Sequence, residues 1–413
     1  MSQRMLIDAR HPEETRVAVV NGNRIEEFDF EAADRKQLKG NIYLARVTRV
    51  EPSLQAAFVE YGGNRHGFLA FSEIHPDYYQ IPREDREALL REEQALAHDD
   101  SHDDAEATGE ETGEDGEEIA ESGGHGDDTD ALRRKRQALR RRYKIQEVIQ
   151  RRQVLLIQVV KEERGNKGAA LTTYLSLAGR YCVLMPNTAH GGGISRKISN
   201  LSDRKRLKQV MADLKLPNGM GAIVRTAGLK RSKTEIKRDF DYLTRLWDEI
   251  RETTLSSTAP CLVHQDSDLI KRAIRDVYGK DIEQVLVEGA EGYEAAHTFM
   301  KMLMPTHAAK VVQYTDPVPL FQRFGVEGQL EAMYQPVVQL RSGGYIVINP
   351  TEALVSIDIN SGRSTREHNI EDPALKTNLE ASDEIARQLR LRDMAGLVVI
   401  DFIDMEEKRN NRN

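Results

Sequence analysis

Cysteine is nearly missing from this chain: Cys182 and Cys261 are the two in 413 residues. Two thiols make neither a disulfide framework nor a four-cysteine zinc site within one chain. Long apolar runs are missing too. No eighteen consecutive apolar residues occur, so no membrane-spanning helix is expected. The opening Met1-Ser2-Gln3-Arg4-Met5-Leu6-Ile7-Asp8 lacks the apolar centre of a secretory signal. These absences point to a cytoplasmic protein. Basic charge is missing from one stretch: residues 99–130 carry fifteen Asp and Glu and no Lys or Arg. The formal net charge of -8 therefore misleads. With that stretch set aside, 59 basic residues face the remaining 52 of the 67 acids. The rest of the chain is mildly basic, as a nucleic-acid binder would be.

What is present, above all, is a pair of acid-tipped runs near the end. Leu354-Val355-Ser356-Ile357-Asp358-Ile359-Asn360 and Leu397-Val398-Val399-Ile400-Asp401-Phe402 each lead into a carboxylate. One amphipathic helical stretch lies between them, opened by Asp372-Pro373 as N-cap and first-turn proline and closed by Gly396. Leu375, Leu379, Ile385, Ala386 and Leu389 are its expected inner face. A strand–helix–strand unit obliges parallel strands with a right-handed crossover. Ligands of open α/β sheets gather at the carboxyl ends of the strands, where Asp358 and Asp401 lie. On neighbouring strands, roughly 4.8 Å apart, two carboxylates can share a cation. Period-two alternation puts Asn360 on the face of Asp358. Two Asp and one Asn, all oxygen donors, suit magnesium held with several waters, the apparatus of phosphate chemistry. The plainer alternative is a pair of cap or solvent-facing aspartates. Asp404 lies too far along to share the face.

The chain begins with antiparallel β texture, Arg16–Val20 and Arg24–Phe28 around an Asn21-Gly22 hairpin turn. Short strands with glycine turns between 41 and 71, resuming at Gln153–Val160 and Ala170–Leu175, predict a small barrel. Residues 95–132 interrupt it, too poor in apolar residues to fold, and read as a disordered acidic insertion. The alternative for that tract is a polyanion competing with nucleic acid. A mixed region follows, with helices near 202–214 and 233–253. The second carries Ile236, Phe240, Leu243, Trp247 and Ile250 as a packing stripe. Gly191-Gly192-Gly193 reads as a plain turn. Gly165-Asn166-Lys167-Gly168 is not a P-loop, since it lacks the glycine spacing and the Lys-Ser/Thr ending.

Several motifs then carry a resemblance. Ser356-Ile357-Asp358-Ile359-Asn360-Ser361, Val399-Ile400-Asp401-Phe402-Ile403-Asp404-Met405, Thr377-Asn378-Leu379-Glu380-Ala381, Glu163–Thr172 and Ile223-Val224-Arg225-Thr226-Ala227-Gly228 resemble the ribonuclease E/G family. The likeness covers nearly the whole chain except the acidic tract. That tract is reminiscent of alphaproteobacterial members and tilts the reading to the E-type branch, the G-type paralogue being the alternative. The resemblance implies an α+β multidomain chain. Its parts would be an RNase H-like subdomain (1–36 with 271–333), an inserted S1-like OB-fold barrel (37–175), a 5′-sensor domain (176–270) and a DNase I-like catalytic domain (334–413, incomplete). It implies a magnesium-dependent endoribonuclease acting on single-stranded RNA to leave 5′-phosphate and 3′-hydroxyl ends, in RNA processing and mRNA decay.

The resemblance also assigns residues. Asp358 and Asp401 match the family's magnesium-binding aspartates, and Asn360 the asparagine beside them. Phe58, Phe68 and Lys167 match RNA contacts on the barrel, although alternation alone would put Phe58 in the barrel core. Arg225 and Thr226, with Gly179 and Val183, match the pocket for a 5′-monophosphate. The family's zinc motif and the tetramer it supports are expected outside 1–413, so a monomer or weak dimer is expected here. Degradosome proteins would bind through a tail that is also outside. The rival from another class is a non-catalytic RNA-binding scaffold built on the barrel.

Overall fold

The computed structural model describes residues 2–35, 37–63, 65–91, 143–163, 168–188, 193–214, 216–217, 219–266, 268–362, 371–407 and 409–412. The acidic tract at 95–132 lies outside them. The chain divides into two compact units, Met1–Arg35 with Leu269–Asn413, and Lys36–Asp268.

Strands β1 (Gln3–His11), β2 (Glu14–Asn21) and β3 (Arg24–Ala32) open the first unit as an antiparallel meander. The expected hairpin forms, with Gly22 at φ +63°, the left-handed conformation its turn needs.

The second unit holds a closed barrel. Its strands are β4 (Ile42–Glu51), β5 (Ala56–Gly62), β6 (Arg65–Ala70), β7 (Val154–Lys161) and β8 (Ala169–Thr172). They run in the order β4-β5-β6-β8-β7 and close by β7 pairing with β4. All pairs are antiparallel except β6 with β8. This order is consistent with an OB-fold. The barrel is filled by Tyr43, Ala45, Val47, Val59, Leu69 and Ile157, among others. Beyond it come β9 (Leu177–Ala178), β10 (Cys182–Met185), β11 (Gly193–Ile194), α1 (Leu201–Asp213), β12 (Gly221–Val224), α2 (Lys233–Ser256) and β13 (Cys261–His264). Gly193, expected in a turn, instead starts β11. Helix α2 starts at a reciprocal cap: the Ser232 hydroxyl accepts from the Glu235 amide, and the Glu235 carboxylate accepts from the Ser232 amide. Ile236, Phe240, Leu243 and Ile250 are buried on it and Trp247 packs at the margin, as the spacing predicts.

The chain then returns to the first unit. Strand β14 (Ile282–Glu288) adds parallel to β1, helix α3 (Ala290–Leu303) follows, and β15 (Val311–Tyr314) pairs with β14. A separate four-stranded sheet comes last: β16 (Val337–Gln339), β17 (Tyr345–Pro350), β18 (Leu354–Asn360) and, after helix α4 (Glu371–Leu391), β19 (Leu397–Asp401). The whole is a mixed α+β chain of several sheets.

Two local expectations fail at α4. The helix already includes Glu371 and Asp372, so Asp372 is not its N-cap, and it stops at Leu391, five residues before Gly396. Asp393 takes the left-handed conformation just past the helix (φ +51°), and Gly396 (φ +100°) turns the chain into β19. The inner face is also shifted. Ala374, Thr377, Asn378, Ala381, Glu384, Ile385 and Gln388 are buried, whereas Leu379 is 46% exposed and Ala386 is exposed. Hydrogen bonding explains the burial of the polar members: Thr377 donates to the Pro373 carbonyl, and Glu384 accepts from Arg387 and Gln388.

Candidate functional site

Alternation along β18 decides what its carboxylate does. Val355, Ile357 and Ile359 are buried against Ile346, Ile348, Ala381 and Ile385, which turns Ser356 and Asp358 to solvent. Strand β19 alternates in phase, with Leu397, Val399 and Asp401 exposed. The two strands are parallel neighbours, and Asp358 is the register partner of Asp401. Both carboxylates therefore leave one face at the carboxyl ends of adjacent strands. Asn360 joins them by donating its amide to Asp358 Oδ2 at 2.7 Å. Among the described residues, no ion pair engages either aspartate, and no third His, Cys, Asp or Glu joins them in a group that could hold a metal ion. Two open carboxylates and an amide, all oxygen donors, fit a hard divalent cation that keeps several waters better than zinc, whose sites are built mainly on cysteine and histidine. Asp404 lies beyond the end of β19.

On the barrel, Phe58 and Phe68 are register partners on β5 and β6 and face outward, each half-buried. The inward positions are taken by Ala57, Val59, Gly67 and Leu69, so the core placement that alternation favoured for Phe58 is the wrong phase. The two rings meet edge to face with centroids 6.0 Å apart. Arg49, opposite Phe58 on β4, sets its guanidinium 4.6 Å over the Phe58 ring. Sequence reading missed Arg49, whose only signal was its place on the strand beside Phe58. Lys167 lies outside the described residues.

The third group surrounds β10 and β12. Arg225 follows β12, donates its amide to the Tyr181 carbonyl at 2.8 Å and donates Nη1 to the Gly179 carbonyl at 2.6 Å. Thr226 is next and exposed, starting a single helical turn. Val183 is buried, paired with Ile223 and Ala178, so only its backbone borders the group. Asp239 of α2 ties these pieces together, and sequence reading did not single it out. Its buried carboxylate accepts the amides of Arg180, Tyr181 and Cys182 at 3.0, 2.8 and 2.8 Å. Burial pushes its pKa above the usual carboxylate range, against those three amides and the Arg225 charge. A Cβ on Gly179 would lie 2.5 Å from Asp239 Oδ2, so no side chain fits there.

The model of the Ribonuclease E/G family matches residues 176–413. Over 410 residues the chain is 44% identical to Ribonuclease E of Haemophilus influenzae, covering 99% of this chain and 38% of that protein. It is 43% identical to Ribonuclease E of Escherichia coli over 411 residues, 99% of this chain and 34% of that protein. Ribonuclease G of Escherichia coli is 34% identical over 412 residues, covering the whole chain and 73% of that relative. The chain thus spans about a third of the length of the first two relatives.

Proposed function

The chain belongs to the ribonuclease E/G family, and from that premise we propose that it is an E-type endoribonuclease that cuts single-stranded RNA, leaving 5′-phosphate and 3′-hydroxyl ends, in RNA processing and mRNA decay. The register pairing of Asp358 with Asp401 on one open face carries this reading. The cofactor proposed is magnesium, which when bound there would stabilise charge building on the phosphoryl oxygens and acidify the attacking water. Asp358 and Asp401 would hold it, and Asn360 would keep the Asp358 carboxylate oriented through its amide. An electrostatic RNA binder gains nothing from carboxylates on an open edge, which disfavours the scaffold alternative.

The remaining groups fit parts of one substrate. The Phe58 and Phe68 rings can stack on unpaired bases, each stack worth about 1–3 kcal/mol. Lys167 is proposed as a phosphate contact beside them. The Arg225 fork and the Thr226 hydroxyl suit a terminal monophosphate at the Gly179 and Val183 backbone. The barrel order supports an S1-like OB-fold for 37–175. We assign an RNase H-like part to 1–36 with 271–333, a 5′-sensor to 176–270 and a DNase I-like part to 334–413. The E branch is preferred over G by the acidic tract and by the higher identity, 44% against 34%. Cytoplasmic action, a tetramer built through zinc and degradosome contacts belong to the same proposal for the full-length protein, and no residue of 1–413 is assigned to the last two. Among the described residues no helix is long and apolar enough to cross a membrane.

The deciding experiment is cleavage of an AU-rich single-stranded oligonucleotide bearing either a 5′-monophosphate or a 5′-hydroxyl, with and without magnesium. Metal-dependent cutting, faster on the monophosphate, is expected. Binding without cutting under every condition would move the chain to the scaffold class.

A further inference from the structure

The segment Thr377-Asn378-Leu379-Glu380-Ala381 is part of the family resemblance, yet beyond the packing of Ala381 under β18 it has no part in the groups described above. Its place in α4 supplies a role. Asn378, 9% exposed, makes a reciprocal pair of hydrogen bonds with one residue: its Nδ2 donates to the Ile403 carbonyl at 2.8 Å, and its Oδ1 accepts the Ile403 amide at 3.1 Å. Ile403 stands two residues past Asp401. The chain leaving the metal face is therefore gripped on both of its backbone groups, where no further strand pairing in the described sheet would hold it.

Two residues further along α4, Glu380 grips a different piece of chain. Its carboxylate accepts the Arg341 amide at 2.6 Å and the Ser342 amide at 2.8 Å. Those residues form the turn between β16 and β17, which ends at Gly344. A Cβ on Gly344 would lie 2.7 Å from the Asn360 carbonyl and 2.8 Å from the Thr377 methyl. The turn thus abuts the end of β18, and Gly344 permits that closeness. At about 100° per residue, Asn378 and Glu380 flank the Thr377–Ala381 face on opposite sides. One helix consequently reaches to the chain after Asp401 on one flank and to the turn beside Asn360 on the other.

Resting on the metal reading above, we infer that Asn378 and Glu380 are positioning residues that set the relative placement of the Asp358 and Asp401 carboxylates. Neither touches the cation or the RNA. Groups that orient metal ligands in this way typically change metal affinity or activity by roughly 10–100-fold when removed. The physical reason is that two carboxylates on separate strands share one ion only while the strand ends keep their spacing, and strand pairing alone stops at Asp401.

The test measures Mn²⁺ alone, by loss of its free electron-paramagnetic signal, on wild type, Asn378→Ala, Glu380→Gln and Asp401→Asn. Asn378→Ala is expected to weaken Mn²⁺ binding roughly 10-fold or more. The Ile403 amide should lose protection from hydrogen exchange, and half-saturating magnesium for cleavage should rise by the same factor. The cleavage rate at saturating metal and RNA affinity in EDTA should hold, which a general loss of structure would not permit. Glu380→Gln keeps one acceptor for two amides and should shift Mn²⁺ binding less, with its melting temperature nearly unchanged. If Asn378→Ala does not fold, Glu380→Gln decides, and wild-type Mn²⁺ affinity in that variant overturns the inference. Wild-type affinity in a folded Asn378→Ala overturns it equally. Asp401→Asn separates the two levels. If it abolishes Mn²⁺ binding while Asn378→Ala does not alter it, only the positioning role falls; if Asp401→Asn has no effect, the metal reading falls with it.

Discussion

Asp8 and Glu288 are the last register partners along the parallel pairing of β1 with β14, and Asp358 and Asp401 are the last along that of β18 with β19. By strand geometry the two pairs are alike. Their surroundings differ in every respect that matters to a cation. Asp8 is 5% exposed and Glu288 8%, whereas Asp358 and Asp401 face solvent. Asp8 meets Arg16 Nη2 at 2.6 Å, and Arg16 also reaches Glu327 at 3.2 Å. Glu288 accepts the Leu320 amide at 2.9 Å and lies 3.6 Å from Arg10. The first pair is a neutralised knot holding the sheet to its flanking chain. The second has only the Asn360 amide among described partners. Two acids at the last pairing of parallel strands are therefore not a site by themselves; the open pair differs in having no arginine partner among the described residues.

The sharpest way to break this contrast is to neutralise one acid of each pair. Asp358→Asn should lower cleavage by roughly 10³-fold or more, the scale of losing a main electrostatic element, while leaving melting temperature and RNA affinity in place. Asp8→Asn should do the reverse. Removing one partner of a buried pair costs about 3–5 kcal/mol, and Arg16 keeps Glu327, so the lower end is expected in urea unfolding. Cleavage by the folded fraction should persist. If Asp8→Asn abolished cleavage without loss of stability, the first pair would have to be counted as chemical.

A smaller effect comes from making the open pair resemble the closed one. Val399 is 48% exposed and two residues before Asp401 on the same face. Val399→Arg supplies the missing cation, and a partly exposed ion pair of up to about 1 kcal/mol should weaken Mn²⁺ binding up to about fivefold. Unchanged binding would mean that charge compensation is not what separates the pairs.

The smallest expected effect is on pH. Burial works to raise the Glu380 pKa, and hydrogen bonds from Ser342 and Arg341 outweigh it, so the carboxyl titrates below its ordinary value of 4.5. A lowered folded value means that its contribution to stability is complete above 4.5 and is lost as the pH falls through the folded value. Glu380→Gln should slightly flatten the acid limb of stability, measured by urea unfolding from neutral pH downward. A steeper acid limb in the variant would contradict that sign.

Local patterning accounts for much of this. The hairpin at Asn21-Gly22, the stripe on α2 and the outward phase of Asp358 and Asp401 all follow from spacing of two or 3.6 residues. Reading failed where polar residues were buried. Leu379 and Ala386 are expected inside α4 because they are apolar, but they are exposed, and Thr377, Asn378, Glu384 and Gln388 hold places on the inner face, each with a hydrogen-bond partner. Phe58 failed in the other direction. An aromatic in an alternating strand was expected inside, yet Ala57 and Val59 fill the barrel and leave the ring outside.

Alternation along each strand, written in consecutive residues, was enough to bring a carboxylate to the end of β18 and another to the end of β19. Whether such an acid is locked or open was decided elsewhere. Asp8 lies beside Glu288 on the adjacent strand, a residue far along the chain, and Asp239 meets its three amides from 57 to 59 residues away. Side-chain periodicity is a property of neighbours in sequence, whereas desolvation and charge pairing depend on whatever the folded chain brings within a few ångströms.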